Sequence, residues 1–389
     1  MPIYIFRSSD TGLPTAGVDA AAGSMTTNVL DPTLVNGYNS RSGVTVTRSG
    51  GTATYTFNSH GYAAGSIVTI GGFNETDYNV TGLISNITAN TWDMTVANAP
   101  ATPGTGTGTS IKAPIGWSTT FTGTNIRSYK QKVGSNQFTL GVDDTNASNT
   151  RVRMYESMTV AGVAQASGAN GTPNDVLFPT GGLYAYKSSA AAATYRNWVL
   201  VSNGKIFYLF WQHTGVTTSG QGLAFGDFTT YKYGDAYNTI LIANEVASAI
   251  NTNIRIGTMN TGVNNNTNGH FCMRFHHGSG AGAYLGKGTD SFRSINAIEC
   301  GSATSSLTYP SPTEGGLLMA PLWLMESQTG WNGIRGHLPG LWCPLHSRPL
   351  AHGDTFSGTA GTVLAGKTFE VYNIGSVGQL IFETSDTWS

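Results

Sequence analysis

Short stretches of alternating apolar and polar residues recur along the whole chain, and Gly, Asn, Asp and Ser separate them. Examples are "TATYTF" from Thr52, "SIVTI" from Ser66, "NWVLVS" from Asn197 and "KIFYLFW" from Lys205. Runs of this length that are rich in β-branched and aromatic residues predict strands. Asn203-Gly204, between the last two runs, predicts a hairpin turn, because both residues tolerate positive φ. We therefore expect a mostly β fold, with a β-sandwich or barrel-like main domain and few helices.

Two segments predict helices instead. "AYNTILIANEVASAI", from Ala236 to Ile250, is the longer one. "TYRNW", which ends at Trp198 after a run of alanines, is the second.

Residues 41–112 are predicted to be a small all-β module inserted into the main domain. The segment ends in the Gly/Thr/Pro-rich tract "ATPGTGTGTSIKAP", which is typical of a linker or a loose edge. The sequences on either side of it would join naturally if it were removed. The main β-rich domain then comprises residues 1–40 and 113–389, and a further boundary is expected near 300–315.

Composition narrows the classes of function. Charged residues make up 11% of the chain, against roughly 25% in ordinary soluble domains. The net charge of −1, without a basic cluster, indicates that nucleic acid is not a partner. No apolar run is long enough to span a membrane, and the N-terminus lacks the pattern of a signal peptide. The odd set of Cys272, Cys300 and Cys343 does not resemble a disulfide framework and favours synthesis in a reducing cytoplasm.

A histidine, a glutamate and an aspartate lie close together in "SHGYAAGSIVTIGGFNETDYNV", which begins at Ser59. We interpret His60 as a structural residue at the end of a strand, where its ring bonds to loop carbonyls, and Asp77 as a turn residue. "HG" followed by "GSIVTIGG", a loop and a strand pair resembles the small β-modules that are embedded in many bacteriophage virion proteins. The resemblance implies a structural module without a catalytic role.

Several segments outside the module resemble a group of tailed-phage virion proteins. They include "MPIYIFRSSDTGLPTAG" at the start, "RVRMYESMT" from Arg151 and "GDFTTYKYGDAYNT" from Gly226. The resemblance implies a non-enzymatic virion subunit, a head decoration protein or a tail or baseplate component. It would be made in the host cytoplasm, form homo-oligomers and contact other capsid or tail subunits. The alternative is a tail-tip protein that binds host-surface carbohydrate, or a depolymerase.

Two groups of residues have some of the features of a metal site. Cys272 and His276, with His270, are in phase on one predicted strand, and Cys343 and His346 have the spacing of half a zinc knuckle. Neither group has a complete set of close ligands, so we expect no metal and no cofactor.

Asp143, Asp144 and Glu156 are the carboxylates that a glycoside hydrolase would need. "GVDDTNASN" is also an ordinary turn, and the regular repeats of many depolymerases are absent. We therefore expect no catalytic residues.

The segment from Trp323 to His352 is predicted to contact another subunit. Trp and Arg are the residues found most often at the energetic centres of interfaces. "GWNGIRGHLPGLW" has too many glycines and prolines for a regular strand, which indicates a docking loop. The same tryptophans could instead fill a core or stack on sugars. The candidate contact residues are Trp323, Trp331, Arg335, Trp342 and Arg348.

Overall fold

The computed structural model describes residues 2–14, 18–156, 183–187, 197–212, 220–243, 270–272, 274, 276, 283–287, 308–313, 315–328, 331–346, 350–374, 378–385 and 388. Within these ranges the chain forms 24 strands, numbered here in chain order, one helix at Thr26–Asn36 and a helical turn at Thr76–Tyr78. The predicted fold class, mostly β with few helices, is confirmed.

An antiparallel sheet of 13 strands forms the main body. Its order is β1 (Tyr4–Arg7), β13 (Trp198–Ser202), β14 (Ile206–Gln212), β15 (Gly220–Asp227), β17 (Thr239–Ile242), β18 (His270–Cys272), β19 (Ala283–Lys287), β20 (Met319–Gln328), β21 (Trp331–Pro344), β24 (Gly378–Glu383), β23 (Thr368–Ile374) and β22 (Thr355–Ser357), and β16 (Thr229–Thr230) pairs with β21.

Strand β14 shows why the sequence of a central strand in this sheet is a continuous apolar run. Phe207, Leu209 and Trp211 lie in one apolar cluster, and the alternate residues Ile206 and Tyr208 lie in another. Side chains of a strand point to opposite faces in turn, so a strand that is covered on both faces has apolar residues at every position. The second cluster is completed by residues of β20, β21 and β24, which cover one face of the central strands.

A five-stranded sheet covers the other face, and the helix Thr26–Asn36 packs into the same apolar cluster. The order of this sheet is β12 (Leu183–Tyr186), β11 (Asn149–Tyr155), β10 (Thr139–Asp143), β9 (Ile126–Lys130) and β8 (Ser118–Gly123). Asp144, directly after β10, accepts the Thr26 N–H at the start of the helix through Oδ2 at 3.1 Å. The main body is therefore layered, with the central strands buried between two coverings.

A six-stranded sheet forms a separate unit near the N-terminus, with its own apolar cluster around Tyr55 and Trp92. Its order is β5 (Thr81–Leu83), β4 (Ile67–Phe73), β7 (Gly106–Lys112), β2 (Tyr38–Ser49), β3 (Thr52–Thr56) and β6 (Thr91–Thr95). Ser85 and Asp93 exchange two backbone hydrogen bonds of 3.0 and 2.9 Å, which join the end of β5 to β6 and nearly close a barrel.

The barrel contains the sequence that was predicted to form an inserted module, and it is tied to the main body at its base. Asp10 accepts hydrogen bonds from Lys112 Nζ and the Tyr38 hydroxyl, both at 2.6 Å. Ile67 packs in the apolar cluster of the main body, whereas Val68 faces the barrel interior. Whether the module folds by itself stays a prediction.

Four local expectations need correction. Thr239–Ile242 is a strand inside the longer predicted helix, and Trp198 begins β13 inside the shorter one. The hairpin predicted at Asn203-Gly204 does form between β13 and β14, with positive φ at Gly204 and with Asn203 Oδ1 accepting the backbone N–H groups of Lys205 and Ile206. Residues 331–344 form strand β21, with its irregular pairing to β20 accommodated by register shifts. Cys343 is disulfide-bonded, whereas Cys272 is a free, buried thiol.

Candidate functional site

A polar pocket of about 440 Å³ opens where the loop after β9, the β13–β14 turn, the end of β15 and Pro339 of β21 meet. Its lining is mainly amides, hydroxyls and charged groups, with one indole ring. The lining residues are Gly134, Ser135, Asn136, Asn203, Lys205, Asp227, Phe228, Thr229, Thr230, Asn238, Pro339 and Trp388.

Asp227, at the end of β15, holds the floor of the pocket in place. Its Oδ1 accepts hydrogen bonds from Gln131 Nε2 at 2.9 Å and Thr239 Oγ1 at 2.6 Å, and its Oδ2 accepts the Asn136 N–H at 2.8 Å. Asn136 Nδ2 in turn donates to Asn238 Oδ1 at 2.9 Å. Because the carboxylate is enclosed by three donors, it fixes the loop rather than acting as a free base.

Positive charge lies along one wall. Lys205 lines the pocket directly after the β13–β14 turn. Burial, and secondarily the positive charge of Lys205, lowers the pKa of the nearby Lys132 amine. Two neighbouring amines favour an anionic or strongly polar ligand over an apolar one.

The indole of Trp388 forms another part of the lining. Its Nε1 donates to the Glu383 carbonyl at 2.8 Å, and its ring packs 5.7 Å from that of Tyr208. Gly340 lies directly beneath the indole with a φ of +70°, and an added Cβ there would come within 2.1 Å of the ring. Glycine at position 340 therefore allows the tryptophan to dock.

Three exposed side chains with large apolar surfaces are close in sequence to residues that line the pocket. Val133 precedes the lining residue Gly134 and is 86% exposed. Tyr231 and Tyr233 follow the lining residue Thr230 and are 53% and 107% exposed. We call Val133, Tyr231 and Tyr233 the rim.

The loop that carries the two tyrosines is fixed by a buried ion network. Arg335 on β21 is fully buried and binds Asp235 through Nε at 2.8 Å and Nη2 at 2.9 Å. Its Nη1 lies 3.0 Å from Oε2 of the buried Glu326. The Tyr231 N–H donates to the Arg335 carbonyl at 2.7 Å, so the network and the loop share one anchor.

The structure describes the side chains of three of the five predicted contact residues, Trp323, Arg335 and Trp342. Arg335 is inside the chain, and this buried position does not support a direct contact of its side chain with another subunit. Trp342 is half-buried against Phe369, and Trp323 is half-buried opposite His337 on β21. Trp331 begins β21, but its side chain, like all of Arg348, lies outside the described residues. A contact through this segment stays a prediction.

Each candidate carboxylate has a cation beside it. Asp143 Oδ2 lies 2.7 Å from Arg151 Nη2, and Asp144 Oδ1 lies 2.6 Å from Lys187 Nζ. Glu156 binds Arg274 through both oxygens, at 2.5 and 3.0 Å. The three acids therefore act in separate ion pairs and do not face one another across a cleft.

The candidate metal ligands are also engaged elsewhere. His276 Nδ1 bonds to Glu326 Oε1 at 2.5 Å, and the ring nitrogens of His346 bond to the Thr308 carbonyl and the Leu318 N–H. Among the described residues, no three potential ligands are grouped around a common point.

His60 has the structural place that its sequence predicted. It is buried, its Nε2 lies 2.8 Å from the Thr88 carbonyl, and its Nδ1 accepts the Tyr62 N–H at 2.9 Å. Its ring packs edge-on against Trp92 at 4.9 Å. Both ring nitrogens are used within the barrel, so His60 holds a loop to a strand end.

Sequence reasoning missed the pocket, because its lining residues come from six separate parts of the chain and most of them are typical of ordinary turns. The nearest signal was "TTYKYGD", where two tyrosines and a lysine stand in a turn. No protein-family model matches this chain, and a search of curated proteins finds no significant relative. No helix in the described part of the chain is long and apolar enough to cross a membrane.

Proposed function

We propose that this chain is a non-enzymatic structural subunit of a bacteriophage particle, a head decoration protein or a tail or baseplate component. In this role it contacts other virion subunits and further copies of itself. The observation that supports the proposal is the exposed rim on a chain with only 11% charged residues. A surface of aromatic and neutral polar side chains loses water at a lower cost than one of Lys and Glu.

The rim also provides the test. Replacing Tyr231 and Tyr233 by serine removes two large apolar side chains that are exposed in the chain, so the fold should survive. We expect the double variant to lose self-association in light scattering and to be depleted from assembled particles. Val363→Ser is the matched control, since Val363 is 91% exposed and lies elsewhere, in the β22–β23 connection. Equal assembly of the rim variant and the control would argue against the proposal.

The pocket favours a second candidate function, binding of host-surface carbohydrate. Sugars are recognised by an aromatic face together with amide and charged side chains, and Trp388, Asn203 and Lys205 supply these around one cavity. A screen against immobilised glycans tests this directly. We expect binding that Lys205→Met weakens, whereas Arg48→Met, on β2 of the six-stranded sheet and outside the pocket lining, leaves it unchanged. Failure of the chain to bind any glycan would remove this candidate and leave the structural proposal intact.

A further inference from the structure

Lys187 and Asp144 form an ion pair that is closed off from water. Lys187 follows β12 and Asp144 follows β10, and both side chains are 0% exposed. Lys187 Nζ lies 2.6 Å from Asp144 Oδ1 and 2.6 Å from the Ala21 carbonyl. Placing two full charges without water is costly even when they are paired, so burial favours the neutral forms of both groups.

The carboxyl group is surrounded as an acyl-transfer centre would be. Thr150 Oγ1 donates to Oδ1 at 2.6 Å, on the side of the lysine. On the other side, Oδ2 accepts the Thr26 N–H at the first turn of the helix, where the backbone N–H groups favour negative charge. One oxygen therefore has a proton donor beside it, and the other has the kind of donor that stabilises an oxyanion.

We propose that Lys187 and Asp144 condense to an intramolecular isopeptide bond. A proton first passes from the ammonium to the carboxylate, which gives a neutral amine and a carboxylic acid. The Nζ lone pair then attacks Cγ, the C–N bond forms, and negative charge develops on Oδ2 beside the Thr26 N–H. The Cγ–Oδ1 bond breaks, Oδ1 leaves as water with one proton from the acid and one from the amine, and a neutral amide remains.

Two further features support this step. Burial raises the pKa of Asp144 and lowers that of Lys187, and both directions favour the neutral pair that must react. The reacting groups are held in contact by the fold, and such proximity is equivalent to very high effective concentrations. The amide would connect β10 to β12 covalently, across the sheet that covers the central strands.

The chain contains an internal comparison. Lys112 Nζ lies 2.6 Å from Asp10 Oδ2, but those side chains are 6% and 10% exposed. The Tyr38 hydroxyl and the Arg7 N–H bond to the same oxygen, Oδ2. No oxyanion donor is described on the second oxygen of Asp10, so we expect this pair to stay ionic.

Mass spectrometry of the denatured, reduced full-length protein tests the proposal without any variant. The expected mass is lower than that of the sequence by one water molecule. Trypsin should fail to cleave after Lys187, and the peptide that contains Lys187 should be joined to the one that contains Asp144. Trypsin should cleave normally after Lys112.

Variants provide the second part of the test. Lys187→Met should restore the full mass, and Thr150→Val should slow the loss of water in freshly made protein. An unmodified wild-type mass, or a water loss with normal cleavage after Lys187, as a succinimide would give, would overturn the proposal.

Discussion

Replacing Arg335 by methionine separates its buried role from a role in subunit contact. Methionine fills a similar length of the site but removes the charge and all five donors. Asp235 and Glu326, both fully buried, would lose the guanidinium that lies between them. The carbonyls of Arg274 and Tyr237 would each lose a donor as well.

The size of the expected loss in stability follows from these contacts. Removing one partner from a buried ion pair costs about 3–5 kcal/mol, because the remaining charge stays buried without compensation. Here one cation serves two carboxylates, so we expect the loss in the free energy of unfolding to reach the upper part of that range. Lysine at the same position keeps the charge but cannot bind Asp235 through two nitrogens, and should recover only part of the loss.

Equilibrium denaturation in urea, followed by tryptophan fluorescence, measures the change as a shift of the midpoint. Arg7→Met is the matched control, since Arg7 binds Glu370 but its side chain is 40% exposed, and exposed pairs contribute about 0–1 kcal/mol. If Arg335→Met is as stable as Arg7→Met but fails to associate, the buried network is unimportant and Arg335 acts at a subunit contact after all.

Three further outcomes are expected. Burial raises the pKa of the Cys272 thiol to about 12. Iodoacetamide should therefore leave Cys272 unmodified in the native protein and label it after unfolding. Labelling of the native protein would show that the thiol is accessible. Burial also raises the pKa of the Tyr208 and Tyr129 hydroxyls in the folded chain. Their contribution to the free energy of unfolding is therefore complete below the ordinary tyrosine pKa of 10.0 and should decline as the pH rises above it. A free energy of unfolding that stays constant to strongly alkaline pH would contradict this. Excess EDTA should leave Tm unchanged, because a structural zinc ion would contribute about 10 kcal/mol or more to stability and its removal would be visible. A large fall in Tm, with stoichiometric zinc in the purified protein, would contradict the expectation that Cys343 and His346 bind no metal.

The strands were predictable because their physical cause is local. Period-2 alternation marked β3, and an unbroken apolar run marked β14, which is covered on both faces. The helix Thr26–Asn36 was missed because it contains Pro32 and is capped by Asp144, a residue more than a hundred positions away. Apolar residues at helical spacing in 236–250 were misleading, since a short buried strand shows the same run.

The candidate site was less predictable for the same reason. Arg335 looked like an interface residue because a lone arginine among glycines gives no sign of its partners, Asp235 and Glu326. Lys187 and Asp144 gave no signal as a pair, since a turn aspartate and a strand-end lysine are ordinary in sequence. Such arrangements depend on the order of strands in the sheets, which the pattern of residues along the chain does not contain.

The protein composition of purified particles tests the central proposal most directly. Particles released from bacteria that carry the gene would be purified on a density gradient, washed with salt and quantified by mass spectrometry against a known capsid subunit. The proposal predicts that this chain is present at a constant number of copies per particle in every fraction that contains intact particles. Its absence from the particles, with the chain abundant as free protein in the same lysate, would contradict the proposal.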